Sequence, residues 1–366
     1  MTRDYSQFLP TDAQTPAQTP EPAKRAMLDI LGWQPFFAQQ LALETLTQTP
    51  PVRVVEVHRN GLQVRGADLE ALVPPGPEAT VGDWLLYDAE LPTRSVVLER
   101  KSLFKRRAAG HDRSIQMIAA NVDTAFVVTS CNNDFNVARL ERFLALAFEA
   151  EVAPVIVLTK ADLCEDPTPF VAEAQKISAR VPVVLLNAKS EEPAQKLADW
   201  CAPGQTIAFL GTSGVGKSTL VNALFGSEQA ETGAIREDDS RGRHTTTSRQ
   251  LHFTDSGLAI LDTPGMRELQ LAEAGDGVAD LFSDVVEIAT QCKFRDCAHE
   301  SEPGCAVRAA IADGTLEAER FERWRKLEAE ERHNTASLAE KRAYDKNFGK
   351  MVKSVTKAHK GRKGRR

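Results

Sequence analysis

Residues 206–220 constrain this chain more than any other stretch. They read Thr-Ile-Ala-Phe-Leu, then Gly211-Thr212-Ser213-Gly214-Val215-Gly216-Lys217-Ser218, then Thr219-Leu220. The apolar run predicts a buried strand, the glycine-rich octad a phosphate loop, and the residues after it a helix. Glycines let the backbone curl so that several N–H groups point at one anion. Lys217 is then placed to neutralise β- and γ-phosphates, and the Ser218 hydroxyl to hold Mg²⁺. A Gly-rich turn capping a helix is the plainer reading, but the flanking strand and helix both favour the phosphate loop.

The surroundings repeat the same rhythm. Apolar strands are predicted at Ala125–Thr129, Val155–Thr159, Val181–Leu186, Thr206–Leu210 and Leu258–Leu261, with helical stretches at Val137–Ala150 and Val171–Ala179. Apolar strands alternating with amphipathic helices predict a parallel, doubly wound α/β sheet. Such sheets bind ligands outside the carboxyl ends of their strands. Asp262-Thr263-Pro264-Gly265 ends the last of these strands, where Asp262 can hold a water of the Mg²⁺ shell and the Gly265 N–H can sense a γ-phosphate. Between the two motifs lies Arg241-Gly242-Arg243-His244-Thr245-Thr246-Thr247, a polar stretch. Thr246 is the favoured residue to complete the Mg²⁺ shell, with Thr245 as the alternative.

No base-reading motif follows Gly265. Instead Thr159-Lys160-Ala161-Asp162 ends a strand upstream of the phosphate loop. The Asp162 carboxylate can accept from guanine N1–H and the exocyclic amine, a donor pair that adenine lacks. The Lys160 stem can lie along the base. Asn187-Ala188-Lys189 closes the next strand, where a second base loop is expected. The order is therefore base reader, second base loop, phosphate loop, first switch, second switch, a circular permutation of the usual GTPase order. Permutation is tolerated at surface loops.

Cys292, Cys297, His299 and Cys305 lie within fourteen residues. Three thiolates and one imidazole are the ligand set of a closed structural Zn²⁺ site, with no position open for catalysis. Three reduced thiols beside an unrelated His are the competing reading. Cys131, Cys164 and Cys201 are scattered over α/β elements and are expected to be buried apolar residues.

Residues 52–105 break into short β-like runs separated by Asn60-Gly61 and Pro74-Pro75-Gly76, which fits a small barrel such as an OB-fold or another small β-module. The formal net charge of −6 conceals a split: residues 341–366 hold eleven basic side chains against Asp345, which leaves −16 for the rest. A mildly acidic body with a cationic arm is not a nucleic-acid coat, though the arm can neutralise phosphates without sequence preference. The polar N-terminus lacks the apolar core of a signal peptide, and no run of apolar residues is long enough to span a membrane. A cytoplasmic protein with no membrane partner is expected, and nothing demands more than a monomer.

The permuted motif order, Gly82-Asp83-Trp84, Asn121-Val122-Asp123, Arg243-His244-Thr245-Thr246 and the Cys-x₄-Cys-x-His-x₅-Cys cluster belong together. With them, residues 30–330 resemble the bacterial ribosome small subunit-dependent GTPases, a circularly permuted GTPase family. The resemblance implies an N-terminal OB-fold β-barrel, a central α/β P-loop GTPase and a C-terminal, mainly α zinc-binding domain. It implies GTP and GDP as ligands with Mg²⁺, one structural Zn²⁺, and action in late maturation of the small ribosomal subunit. Slow GTP hydrolysis that the subunit stimulates is implied with it. The partners are then the subunit and its rRNA, with other small-subunit assembly factors as a further class. The expected divisions are a disordered extension at 1–24, the OB unit with its preceding helical segment at 25–110, the GTPase at 111–275, the zinc unit at 276–340 and the basic tail at 341–366. One departure stands out: Thr159 occupies the place where the family usually has Asn, so base specificity is expected to rest on Asp162.

Ras-like enzymes orient the attacking water with a Gln after D-x-x-G. Met266 stands there, which predicts slow intrinsic turnover. Catalysis then rests on Lys217 and on His244, the internal candidate for placing the water; a surface His beside a basic loop is the competing reading. Two other functions fit parts of the pattern. A GTP-dependent RNA-binding switch with negligible catalysis is compatible with Met266, whereas an ATP-dependent kinase is opposed by Asp162 and the switch motifs.

Overall fold

The computed structural model describes residues 27–41, 49–107, 115–225, 249–262 and 274–335. The strands are β1 (Pro51–His58), β2 (Gly61–Arg65), β3 (Glu70–Val73), β4 (Trp84–Leu86), β5 (Val96–Val97), β6 (Leu103–Arg107), β7 (Ile115–Ala120), β8 (Thr124–Ser130), β9 (Ala153–Thr159), β10 (Val183–Leu185), β11 (Thr206–Leu210), β12 (Arg249–Phe253) and β13 (Ala259–Asp262). The helices are α1 (Met27–Ile30), α2 (Pro35–Ala38), α3 (Val137–Glu149), α4 (Thr168–Ile177), α5 (Glu192–Lys196), α6 (Lys217–Phe225), α7 (Gly275–Leu281), α8 (Ser283–Thr290), α9 (Ala306–Asp313) and α10 (Ala318–Thr335).

The doubly wound sheet is present. Strands β10, β9, β8, β11 and β13 lie side by side and parallel. The middle three are buried on both faces, as their unbroken apolar runs require. The N-terminal strands form the antiparallel unit expected of an OB-type barrel, with β2 and β4 flanking β1 and a core of Val52, Val54, Leu62, Val64, Val73 and Leu85.

The two units share one continuous sheet. Strand β12 runs antiparallel to β13 on one side and to β1 on the other. It uses Glu56 and Val57 of β1, while β4 uses Pro51 to Arg53 of the same strand. A bulge between Val54 and Glu56 separates these two stretches and bends the strand. Strands β6 and β7 pair with each other; the expected division at residue 110 lies outside the described residues.

A buried polar hub locks the junction. Arg53 is 1% exposed, and its guanidinium donates to Leu31 O (2.6 Å), Thr206 Oγ1 (2.8 Å), Asn121 O (3.4 Å) and Gly82 O (3.4 Å). These partners belong to the N-terminal segment, β11, the turn before β8 and the barrel. Burial lowers the Arg53 pKa to about 10, opposed by the charges of Asp123 and Asp83. Asn121 adopts the left-handed region (φ 55°), donates to Gly82 O and accepts from the Lys101 N–H. Asp123 pairs with Lys101 and accepts from the Thr206 N–H at 2.8 Å. The Gly-Asp-Trp and Asn-Val-Asp motifs are thus parts of one joint.

The C-terminal helices dock on α3. Gly277 is required there, because a Cβ would lie 2.1 Å from Ala145 O. Fully buried Glu141 of α3 accepts a bifurcated bond from the Arg323 Nε–H, 2.9 Å from each carboxylate oxygen, and Arg142 pairs with Glu330. Phe321 and Leu327 of α10 are buried, and Trp324 packs against the same core. Cys131 is buried and Cys164 and Cys201 half-buried; burial pushes the Cys131 and Cys201 thiols up to about 11 and about 12. Among the described residues no helix is long and apolar enough to cross a membrane.

Candidate functional site

The three nucleotide motifs that lie wholly within the described residues converge. The base reader follows β9, the second base loop follows β10 and the phosphate loop follows β11, all at the carboxyl ends of parallel strands. This is the edge at which open α/β sheets bind ligands.

The phosphate loop owes its path to its glycines. Gly211 has φ 145°, and a Cβ there would lie 2.4 Å from Val128 O, so only glycine lets β11 leave the sheet this close to β8. Val215 is buried and anchors the loop, whereas Ser213 and Gly214 are exposed and Thr212 is half-buried. The Lys217 Nζ donates to Gly211 O (2.9 Å) and Thr212 O, within the loop that it would share with a phosphate. Ser218, exposed, and Thr219 lie in the first turn of α6, and the positive end of a helix favours an anion.

The base reader carries a feature that sequence reasoning missed. Thr159 is 0% exposed, and its Oγ1 lies 2.6 Å from Val215 O and 3.1 Å from Thr129 O. One hydroxyl proton can serve only one of these carbonyls at a time. The residue therefore ties the base-reading turn to the phosphate loop instead of facing a base. Lys160 is left-handed (φ 58°), and this reversal turns the chain into Ala161–Leu163, where Asp162 stands exposed. A buried Thr at the end of an apolar strand was the only available signal.

The second base loop is ordered by its own side chains. Asn187 Oδ1 accepts from the Lys189 N–H (2.9 Å), Ser190 Oγ donates to Asn187 O (2.9 Å), and Glu192 accepts from the Asn187 N–H (3.0 Å). Ala188 is buried beneath this turn. Asp262 is the last residue of β13, and its backbone pairs with Gln250 of β12. His244, Thr245, Thr246, Gly265 and Met266 lie outside the described residues.

The predicted metal ligands come together. The ligand atoms of Cys292, Cys297, His299 and Cys305 all lie within 4.8 Å of one another. Cys292 Sγ is 4.0 Å from Cys305 Sγ, and His299 Nδ1 is 3.6 Å and 3.4 Å from these two sulfurs. A tetrahedral Zn²⁺ with ordinary bond lengths would hold two sulfurs about 3.8 Å apart and a sulfur and a nitrogen about 3.6 Å apart. The donor set and its spacing therefore fit that ion.

The surrounding loop holds the ligands in place. Cys305 caps α9 by accepting from the Arg308 N–H, and the His299 ring packs against Phe321 and Trp324. Glu302 accepts from the N–H groups of Ala298, Glu300 and Ser301, which holds its carboxyl down to about 2.

Residues 97–272 match the sequence profile of the RsgA GTPase family. The chain is 49% identical over 331 residues to the small ribosomal subunit biogenesis GTPase RsgA 2 of Vibrio parahaemolyticus, covering 90% of this chain and 92% of the relative. It is 49% identical over 321 residues to the small ribosomal subunit biogenesis GTPase RsgA of Mesorhizobium japonicum, covering 86% and 92%. Among solved structures, YjeQ from Thermotoga maritima superposes with a TM-score of 0.54 at 27% identity, over 76% of this chain and 96% of that one. YloQ, described as a circularly permuted GTPase, shares the fold with a TM-score of 0.53 at 24% identity, over 79% and 97%. Nucleotide motifs set along one edge of the parallel sheet in permuted order, and identity of this level along nine-tenths of the sequence, lead to one conclusion: the chain belongs to the RsgA GTPase family.

Proposed function

We propose that the chain hydrolyses GTP slowly on its own and faster on the small ribosomal subunit, and that it couples nucleotide state to late subunit maturation and to release of assembly factors. The observation that carries this reading is the convergence of a guanine reader and a phosphate loop at the same edge of the sheet, on strand ends that flank β8, linked through the 2.6 Å contact of Thr159 with Val215. The curated relatives are named for small ribosomal subunit biogenesis, which supports the choice of partner.

The residues divide the work as follows. Asp162 accepts the guanine N1–H and amine, with Lys160 and Ala161 beside the base and Asn187, Ala188 and Lys189 closing its other side. Backbone N–H groups from Gly211 to Thr219 bind the β- and γ-phosphates, and Lys217 leaves its loop carbonyls to neutralise them. Ser218, Thr246 and Asp262 would hold Mg²⁺, which supplies charge neutralisation of the phosphates when bound. The Gly265 N–H reports the γ-phosphate. Hydrolysis breaks the bond between the γ-phosphorus and its bridging oxygen, and the attacking water must be held in line with that bond. Met266 cannot orient it, so His244 does so once the subunit completes the site.

Cys292, Cys297, His299 and Cys305 would hold Zn²⁺ as a structural ion that fixes the loop between α8 and α9. RNA contact falls to the β unit, the zinc unit and the tail at 341–366, the last without sequence preference and with strong salt dependence.

Co-sedimentation with purified small subunits tests the coupling. The full chain should pellet with subunits in a non-hydrolysable GTP analogue and dissociate in GDP, and deletion of residues 351–366 should flatten the salt dependence. Equal pelleting in both nucleotides would remove the coupling from the account.

A further inference from the structure

The metal loop presents a feature that neither the nucleotide site nor the metal uses. Between the ligands Cys292 and Cys297 run Lys293-Phe294-Arg295-Asp296, all exposed. Phe294 is 41% exposed, whereas the other aromatic side chains of this unit, Phe282, Phe321 and Trp324, are buried in or packed against the core. A Phe this exposed forgoes much of the stabilisation that burial gives an aromatic side chain, so packing does not explain its position. Zinc held by Cys292 and Cys297 would pin both ends of the knuckle that carries it, and the Lys293 N–H donates to Gly304 O at 3.1 Å. The Lys293 ammonium lies 5.5 Å from the Phe294 ring centroid, and Arg295 follows directly.

Resting on the reading that the small subunit is the partner, we propose that Phe294 is a stacking platform for one unpaired RNA base, with Lys293 and Arg295 meeting the phosphates on either side. Single-stranded RNA is read by aromatic faces on which splayed bases stack, together with cations that track the backbone. Phe294 offers a face without a hydrogen-bonding edge, so it accepts any base. An RNA fits this tip better than an apolar protein surface, because cations flank the ring on both sides in sequence and would be costly to bury in an apolar interface. Of the nearby acids, Glu302 is occupied by three backbone N–H groups, while Asp296, next to Arg295 in sequence, is exposed.

The test uses the full-length, zinc-loaded chain and purified small subunits. Phe294→Ala, Phe294→Leu, Phe294→Trp and the double reversal Lys293→Glu with Arg295→Glu are compared for subunit affinity in a non-hydrolysable GTP analogue. Zinc content and subunit-free GTP hydrolysis serve as controls for folding and should not change. Stacking of one base predicts a loss of roughly five- to a hundredfold for Phe294→Ala, a similar loss for Phe294→Leu, and retained affinity for Phe294→Trp. The charge reversal should weaken binding further at low salt than at high salt. Chemical probing of the rRNA should show one unpaired base protected by the wild type and released by Phe294→Leu.

Wild-type affinity in Phe294→Ala, with the wild type bound, overturns this inference alone. Wild-type affinity in Phe294→Leu, without any protected base, assigns the tip to an apolar protein contact and also overturns it. A wild-type chain that fails to bind subunits overturns both this inference and the reading beneath it.

Discussion

Replacing Thr159 by Val removes one hydroxyl and little else. The wild-type Oγ1 sits 2.6 Å from Val215 O in a site with no solvent exposure. Val fills nearly the same volume, so the change isolates the polar contact. A hydrogen bond lost from a buried carbonyl costs about 1–3 kcal/mol. Part of that cost appears in global stability, and the remainder in how firmly the phosphate loop is held against the base-reading turn. Each 1.4 kcal/mol borne by the nucleotide complex is about tenfold in affinity. Thr159→Val should therefore weaken GDP and GTP about three- to thirtyfold, equally for the two, with the preference for guanine over adenine intact because Asp162 is untouched. Thr159→Ser keeps the hydroxyl and should stay within a few-fold of wild type, as should Thr159→Asn, whose amide can donate to both carbonyls. Equilibrium titration with a fluorescent GDP analogue, alongside urea unfolding, measures both effects. Wild-type affinity and stability in Thr159→Val would refute the link between reader and loop. A loss of guanine preference would show instead that Thr159 reads the base.

Arg53→Ala leaves the Leu31 and Thr206 acceptors without their donor and uncouples three segments, so urea unfolding should show a loss of about 3–5 kcal/mol; a loss below about 1 kcal/mol would mean that the hub is dispensable. Asp162→Ala removes two charge-assisted bonds of about 1.5–3 kcal/mol each, so competition titration should show GTP affinity falling more than tenfold and the advantage over ATP disappearing, while the melting temperature holds because the side chain is exposed. Removing zinc with a chelator should unfold the loop between α8 and α9 and release one equivalent of metal, read by a colorimetric zinc indicator and hydrogen exchange. Protection of residues 292–305 that survives metal removal would overturn that role.

How much of this was legible in the sequence depends on whether one segment or two distant ones fix a feature. The strand Thr206–Leu210 has the same bounds in sequence and structure, because an uninterrupted apolar run ends in a glycine that no other residue could replace. The Cys and His cluster was legible for a similar reason, since all four residues lie within one short loop. Strand β12 was not. Arg249-Gln250-Leu251-His252-Phe253 is half-exposed and follows a long polar stretch, and it becomes a strand only because β13 and β1 offer edges on both sides. Arg53 was equally hidden. Nothing in Val-Arg-Val-Val indicates a guanidinium buried against Thr206, 153 residues away. The contact of Thr159 with Val215 spans 56 residues, so the sequence showed a departure from the family pattern without its structural reason.

Guanine-specific hydrolysis completed by the small subunit is what the proposed residue roles require. Phosphate release from GTP and from ATP, each with and without purified small subunits, tests it most directly, with His244→Ala measured in parallel. Release should be slow from GTP alone, faster with subunits and no higher than background from ATP, and His244→Ala should lose the stimulation with GTP affinity nearly unchanged. Release from ATP at a comparable rate, or GTP hydrolysis indifferent to the subunit, would contradict those roles.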